Sequence, residues 1–225
     1  MENITKMIQE FASKDALVEE FVSWCLAALK ASVDTNGSAR ILLSGGGTPG
    51  PSYLRMNLDC DFLDRLEIGL VDERYIGQES EFSNERLLRS CFSNAPESAI
   101  KGMVYDLDDY ENNLELLNSE YNHFVDRTDM VILGMGPDGH TASIFPNDAP
   151  SDEALFTDKN FLNTNAPAHP TQRITCSLEL LRNARNIALI ITGTQKLEVL
   201  QSNTLQLPIH TALEKCPNIN IFYSE

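Results

Sequence analysis

Apolar residues along the chain follow two alternating rhythms. In one, Leu17, Phe21, Trp24, Cys25 and Ala28 recur at three- and four-residue spacing between Asp15 and Ala31, the period of one helix face. In the other, short apolar runs stop abruptly at polar or glycine-rich residues: ARILLS at 39–44, LEIGLVD at 66–72, MVILG at 130–134 and NIALIIT at 186–192. Such runs predict strands buried on both faces. RITCS at 173–177 and NINIFY at 218–223 are read as two more strands. Helical segments lie between them: PSYLRMNL, opened by Pro49; SNERLLRSCF, with a Ser/Asn cap; ENNLELLNSEYNHFV at 111–125; and QKLEVLQS at 195–202. This alternation predicts an α/β fold, a single domain over 1–225 with a mostly parallel, Rossmann-like sheet and helices on both faces. The stretch 146–171, with Pro146, Pro150, Pro167 and Pro170, is expected to be the longest irregular region, placed to close over a site.

Three polar clusters begin where predicted strands stop: Ser44, Gly45, Gly46, Gly47 and Thr48; Asp72, Glu73 and Arg74; and Asp138, Gly139 and His140. C-terminal ends of parallel strands share one edge, so clusters far apart in sequence converge on one crevice. SGGGTPG suits an anion cradle, because glycines let backbone N–H groups approach a phosphate and the following helix N-terminus favours negative charge. A tight βα turn explains it equally well. It is neither a Walker A loop nor a GxGxxG fingerprint. In DGH, an acid two residues before an imidazole can orient it for proton transfer; a loop histidine with Asp138 capping the turn fits the spacing as well.

Arg74 suits an anion or a developing oxyanion, or a pairing with Asp72 or Glu73. Arg173, before a strand, and Lys196, at the start of a helix in TGTQK, are candidate phosphate ligands, with an exposed surface position as the alternative. His123, His169 and His210 have no comparable setting and are read as surface or helix residues. No GxSxG elbow supports a Ser-His-Asp hydrolase, and no two His or Cys stand at ligand spacing, so no metal is expected.

Composition narrows the partners. Thirty-three acidic against 17 basic residues give a formal net charge of −16, which disfavours nucleic acid and anionic membranes. A small anionic substrate is not disfavoured, since salt screens charges over roughly 8 Å and basic side chains inside a pocket act locally. Five cysteines, odd in number and without a CxxC, imply free thiols in a reducing cytoplasm. The N-terminus lacks a basic region leading into an apolar one, and no run is long enough to span a bilayer, so neither secretion nor membrane insertion is expected. A monomer and a small homo-oligomer both fit.

Taken together, LLSGGGTPG, VDERY, FSNERLL, LGMGPDGHTASIFP, QRIT and TGTQK occur in the order of the 6-phosphogluconolactonase family, which the chain resembles over about residues 40–200. The wider superfamily includes glucosamine-6-phosphate deaminase and ribose-5-phosphate isomerase. The deaminase is similar in its SGxTP loop and DGH, but there the segment after DGH ends in Asn-Glu-Pro with a catalytic glutamate, where this chain has Ile144, Phe145 and Pro146. It also typically has Asp-Glu-Tyr in place of Asp72, Glu73 and Arg74.

The resemblance implies hydrolysis of 6-phospho-D-glucono-1,5-lactone to 6-phosphogluconate, the second step of the oxidative pentose phosphate pathway. A phosphosugar lactone is then the small-molecule partner, no cofactor is needed, and an amino-sugar-phosphate isomerase or deaminase is the alternative. It further implies that His140 activates water, Asp138 orients His140, and Arg74 stabilises the oxyanion or holds substrate. Ser44 to Thr48 would receive the phosphate, with charge from Arg173 and Lys196, and Asp72 would count among the substrate-binding residues. The family often has serine or another small residue where this chain has Gly47.

Overall fold

The long apolar runs line up side by side in one wholly parallel sheet. A computed structural model, which describes residues 8–202 and 206–225, orders its six strands as β1 (Ile8–Phe11), β9 (Asn220–Ser224), β8 (Asn186–Thr192), β5 (Met130–Leu133), β2 (Ala39–Leu43) and β3 (Leu66–Leu70). In register, Ile41 lies opposite Ile68 on one side and Met130 on the other. All four residues of β5 are fully buried, as expected of a strand enclosed on both faces. The flanking helices are α1 (Lys14–Asn36), α2 (Gly50–Asp59), α3 (Asn84–Cys91), α4 (Tyr110–Glu120), α5 (Asn122–Asp126), α6 (Ala149–Ala154), α7 (Leu178–Arg182), α8 (Thr194–Gln201) and α9 (Pro208–Lys215).

Helix α1 begins where Ser13 Oγ accepts the Ala16 N–H at 3.1 Å and runs beyond the predicted segment at both ends. It buries Leu17, Phe21, Cys25, Leu29 and Val33; Trp24 and Ala28 stand at the margin of that face.

LEIGLVD does not continue as one strand to Asp72. Val71 donates its N–H to Leu43 O (3.0 Å) in the parallel sheet and accepts the Cys176 N–H (2.8 Å) from elsewhere, so the chain passes between two sheets at this residue. The second sheet is antiparallel, with β4 (Asp72–Arg74), β7 (Gln172–Cys176) and β6 (Phe161–Asn165) in that order. RITCS is therefore a strand, but of this small sheet. The stretch 146–171 is likewise not irregular throughout: it holds α6 and β6, because Asp148 caps the helix through Ser151 N–H (3.1 Å) and FLNTN finds a partner in β7. The predicted helix over 111–125 breaks at Tyr121, whose buried hydroxyl accepts the Leu70 N–H (3.0 Å) and donates to Lys101 O (2.8 Å). The last strand begins at Asn220, two residues later than expected, and β1 carried no recognised signal.

Candidate active site

The first loop follows β2. Ser44 donates its N–H to Ile132 O (3.0 Å), and its Oγ accepts the Gly134 N–H (3.2 Å), so the hydroxyl couples this loop to the one after β5. Beyond it, the amide N–H groups of Gly45, Gly46, Gly47 and Thr48 donate to no other described residue. Free amides just ahead of α2 make an anion-binding concavity. Gly45 is required sterically, since a Cβ there would lie 2.0 Å from Asn84 Oδ1.

The second cluster is β4 and the start of α3. Glu73 is buried, and its carboxylate accepts from Arg74 N, Asn84 N and Glu85 N, each at 2.8 Å, and from Ser83 Oγ at 3.0 Å. It is the anion of the α3 N-terminus, although burial holds its pKa above the ordinary carboxylate value despite those bonds. Arg74 pairs with neither acid through its side chain; its guanidinium donates to the Phe82 carbonyl. Asp72 accepts from Ser143 Oγ at 2.6 Å.

Asp138, Gly139 and His140 form the third. The turn closes through Gly139 N–H to Gly136 O (3.1 Å) and Gly136 N–H to His140 O (2.9 Å). Within it, His140 Nδ1 lies 2.6 Å from Asp138 Oδ1, and the Phe145 ring packs 4.7 Å from the imidazole at 46°. Burial raises the Asp138 pKa, but the bonds from His140 outweigh it and leave the carboxylate below its usual value. Holding the proton on Nδ1 toward a carboxylate leaves Nε2 as the basic nitrogen, and Nε2 has no partner among the described residues. A Cβ at Gly136 would sit 2.2 Å from His140 Cε1, so only glycine accommodates this ring position.

These clusters meet in a cavity of about 230 Å³ lined by Ser44 to Thr48, Asp72, Arg74, His140 and Lys196, together with Asn84, Met135 and Ala142. Lys196, in the first turn of α8, is half-buried with no hydrogen bond or ion pair among the described residues, and burial lowers its pKa. Two predicted residues lie outside the lining. Asp138 stands behind His140. Arg173 sits opposite Arg74 in the β4–β7 register, but its guanidinium packs under the Phe145 ring at 6.0 Å. It is 8% exposed, its Nε has no partner, and burial together with the Arg74 charge lowers its pKa.

Asn84 was not among the candidates; its position in SNERLL signalled only a helix start. His123, read as a surface or helix residue, is on α5 but half-buried, 3.1 Å from Glu67 at the far end of the sheet. Among the described residues no group of three or more His, Cys, Asp or Glu side chains could hold a metal ion, and no helix is long and apolar enough to cross a membrane.

The family model of glucosamine-6-phosphate isomerases/6-phosphogluconolactonase matches residues 12–218. The chain belongs to this family. Among curated members, the 6-phosphogluconolactonase of Rhizobium meliloti is 30% identical over 217 residues, covering 91% of this chain and 92% of that one. The one from Caulobacter vibrioides is 28% identical, covering 92% of each. Among solved structures of the family, a 6-phosphogluconolactonase from Shewanella baltica superposes with a TM-score of 0.87 at 29% identity over 97% of both chains. One from Thermotoga maritima gives 0.84 at 25% identity, covering 97% of this chain and 98% of that one. The shared family name spans two chemistries, so the flanks of the site decide between them.

Proposed function

We propose that the protein hydrolyses 6-phospho-D-glucono-1,5-lactone to 6-phosphogluconate, as a carboxylic ester hydrolase in the oxidative pentose phosphate pathway. The observation that carries this reading is the flank of His140. At the position where the resembling deaminase has its glutamate, the hydrocarbon ring of Phe145 lies 4.7 Å from the imidazole, so the dyad of His140 and Asp138 works without a second acid there.

A lactone carbonyl is electrophilic enough to be attacked by an activated water. His140 Nε2 takes a proton from that water as its oxygen bonds to C1, giving a tetrahedral oxyanion. Collapse breaks the bond from C1 to the ring oxygen, and His140 returns the proton to that oxygen; the new carboxylic acid then ionises. Asp138 fixes the imidazole and stabilises its protonated form. Positioned proton transfer of this kind supplies about 10²- to 10⁴-fold. Arg74 stabilises the oxyanion or grips the substrate. Lys196 and the amides of residues 45–48 receive the phosphate, with Ser44 fixing the loop and Arg173 adding charge from beneath Phe145; Asp72 faces the sugar. The free thiols of all five cysteines suit a reducing cytoplasm.

The test supplies freshly generated 6-phosphogluconolactone and, separately, glucosamine 6-phosphate, subtracting the spontaneous loss of the lactone. Accelerated lactone loss is expected. Ammonia release without it overturns the assignment in favour of a deaminase.

A further inference from the structure

Asn84 lines the cavity while being only 3% exposed, and its backbone and side-chain N–H groups both bond within the protein. Its backbone N–H donates to Glu73 Oε1 at 2.8 Å, and its Nδ2 donates to the Asp72 carbonyl at 2.9 Å. The second bond fixes the carboxamide: the reversed orientation would set two acceptors against each other. Oδ1 is therefore the free end, and it receives no hydrogen from any described residue. It lies directly over Gly45, where an added Cβ would approach it to 2.0 Å.

The rest of the cavity offers mostly donors. Arg74, Lys196, the Thr48 hydroxyl and the unpaired amides of residues 45–48 suit phosphate oxygens and a carbonyl oxygen. A sugar also presents hydroxyl protons, which need acceptors, and the acceptors are few. Asp72 accepts from Ser143 through one of its two carboxylate oxygens, and His140 Nε2 is reserved for water. On the reading of the substrate as a phosphosugar lactone, we propose that Asn84 Oδ1 accepts a hydrogen bond from one hydroxyl of the sugar ring and is thereby a specificity-determining residue. The geometry makes this a selective contact: a substrate lacking that hydroxyl leaves a buried acceptor dry, the more costly of the two ways to lose a hydrogen bond.

The test uses binding, so that it does not depend on turnover. Calorimetric affinities are measured for 1,5-anhydroglucitol 6-phosphate and its 2-, 3- and 4-deoxy derivatives on the wild type, Asn84→Ala and Asn84→Ser. In the wild type one derivative should bind about tenfold more weakly than the parent, the size of one hydrogen bond to a site built for it. Both variants should bind the parent and that derivative alike, while the ratios for the other two stay at their wild-type values. Equal wild-type affinity for the whole series overturns the proposal, and so does a variant that weakens every ligand by one common factor. If neither variant folds, a crystal structure of the wild type with the parent bound decides: a ring hydroxyl within hydrogen-bond distance of Asn84 Oδ1 is expected, and its absence overturns the proposal. Failure of the lactonase reading is separate: it shows as no acceleration of lactone loss by a wild type that still binds the parent.

Discussion

The two edges of the parallel sheet both carry polar residues but use them differently. At the N-terminal edge, Arg40 pairs with Glu67 (3.3 Å) and donates its backbone N–H to Asp129 (2.8 Å). Asp129 also faces Arg127 at 3.2 Å, and Glu67 meets His123 at 3.1 Å. Arg40 and Arg127 each meet a carboxylate, and the edge is a clasp. At the C-terminal edge, Lys196, the amides of residues 45–48, His140 Nε2 and Asn84 Oδ1 have no partner among the described residues. A histidine beside a carboxylate occurs at both edges. What separates the candidate site from the structural pair is therefore the unused bonding capacity around it.

The sharpest break in this comparison is His140→Ala, which should lower kcat by about 10²- to 10⁴-fold while calorimetry shows 6-phosphogluconate still binding. Unchanged turnover removes His140 from the mechanism. Lys196→Ala should raise KM by about 10- to 100-fold, the worth of a hydrogen bond to a charged group, with a smaller change in kcat; a normal KM denies it the phosphate. At the opposite edge, Asp129→Ala should cost about 1–3 kcal/mol in denaturant unfolding by stranding buried donors, yet leave activity per folded molecule intact. Lost activity in folded protein would show the edges to be coupled.

The smallest effect concerns pH. Burial lowers the His123 pKa, with Arg40 and Lys101 adding to it and Glu67 opposing. The unfolded chain, with an imidazole pKa near 6.5, then binds a proton that the folded chain declines, so stability falls as pH drops through about 6.5. His123→Gln should flatten the thermal-midpoint profile in that window without changing kcat. A slope equal to the wild type's assigns the dependence to another group.

Five of the six parallel strands were legible because each is an apolar run, and where three of those runs stop placed Ser44, Asp72 and His140 at one edge. The passage between sheets at Val71 was not, since Leu66 to Val71 is continuously strand-like and only hydrogen bonds to Leu43 and Cys176 divide it. FLNTN is too short and mixed to announce a strand without its partner Gln172–Cys176. Strand IQEF, an edge with exposed Gln9 and Glu10, has too weak a pattern. The break at Tyr121 depends on carbonyl and amide groups of distant Lys101 and Leu70. In the site, Arg173 shares a face with Arg74, as opposed residues of an antiparallel pair must; that Phe145 covers it follows only from tertiary packing. Asn84 was missed for the same reason, because its value lies in an oxygen left free by contacts with Asp72 and Gly45.

Strand β1 has one neighbour in the sheet, β9, which also borders β8. A ribosome releases Ile8–Phe11 about 210 residues before Asn220–Ser224. The earlier strand must wait as a loose thread until those residues have been made, and the border is hemmed only when β9 slides between it and β8.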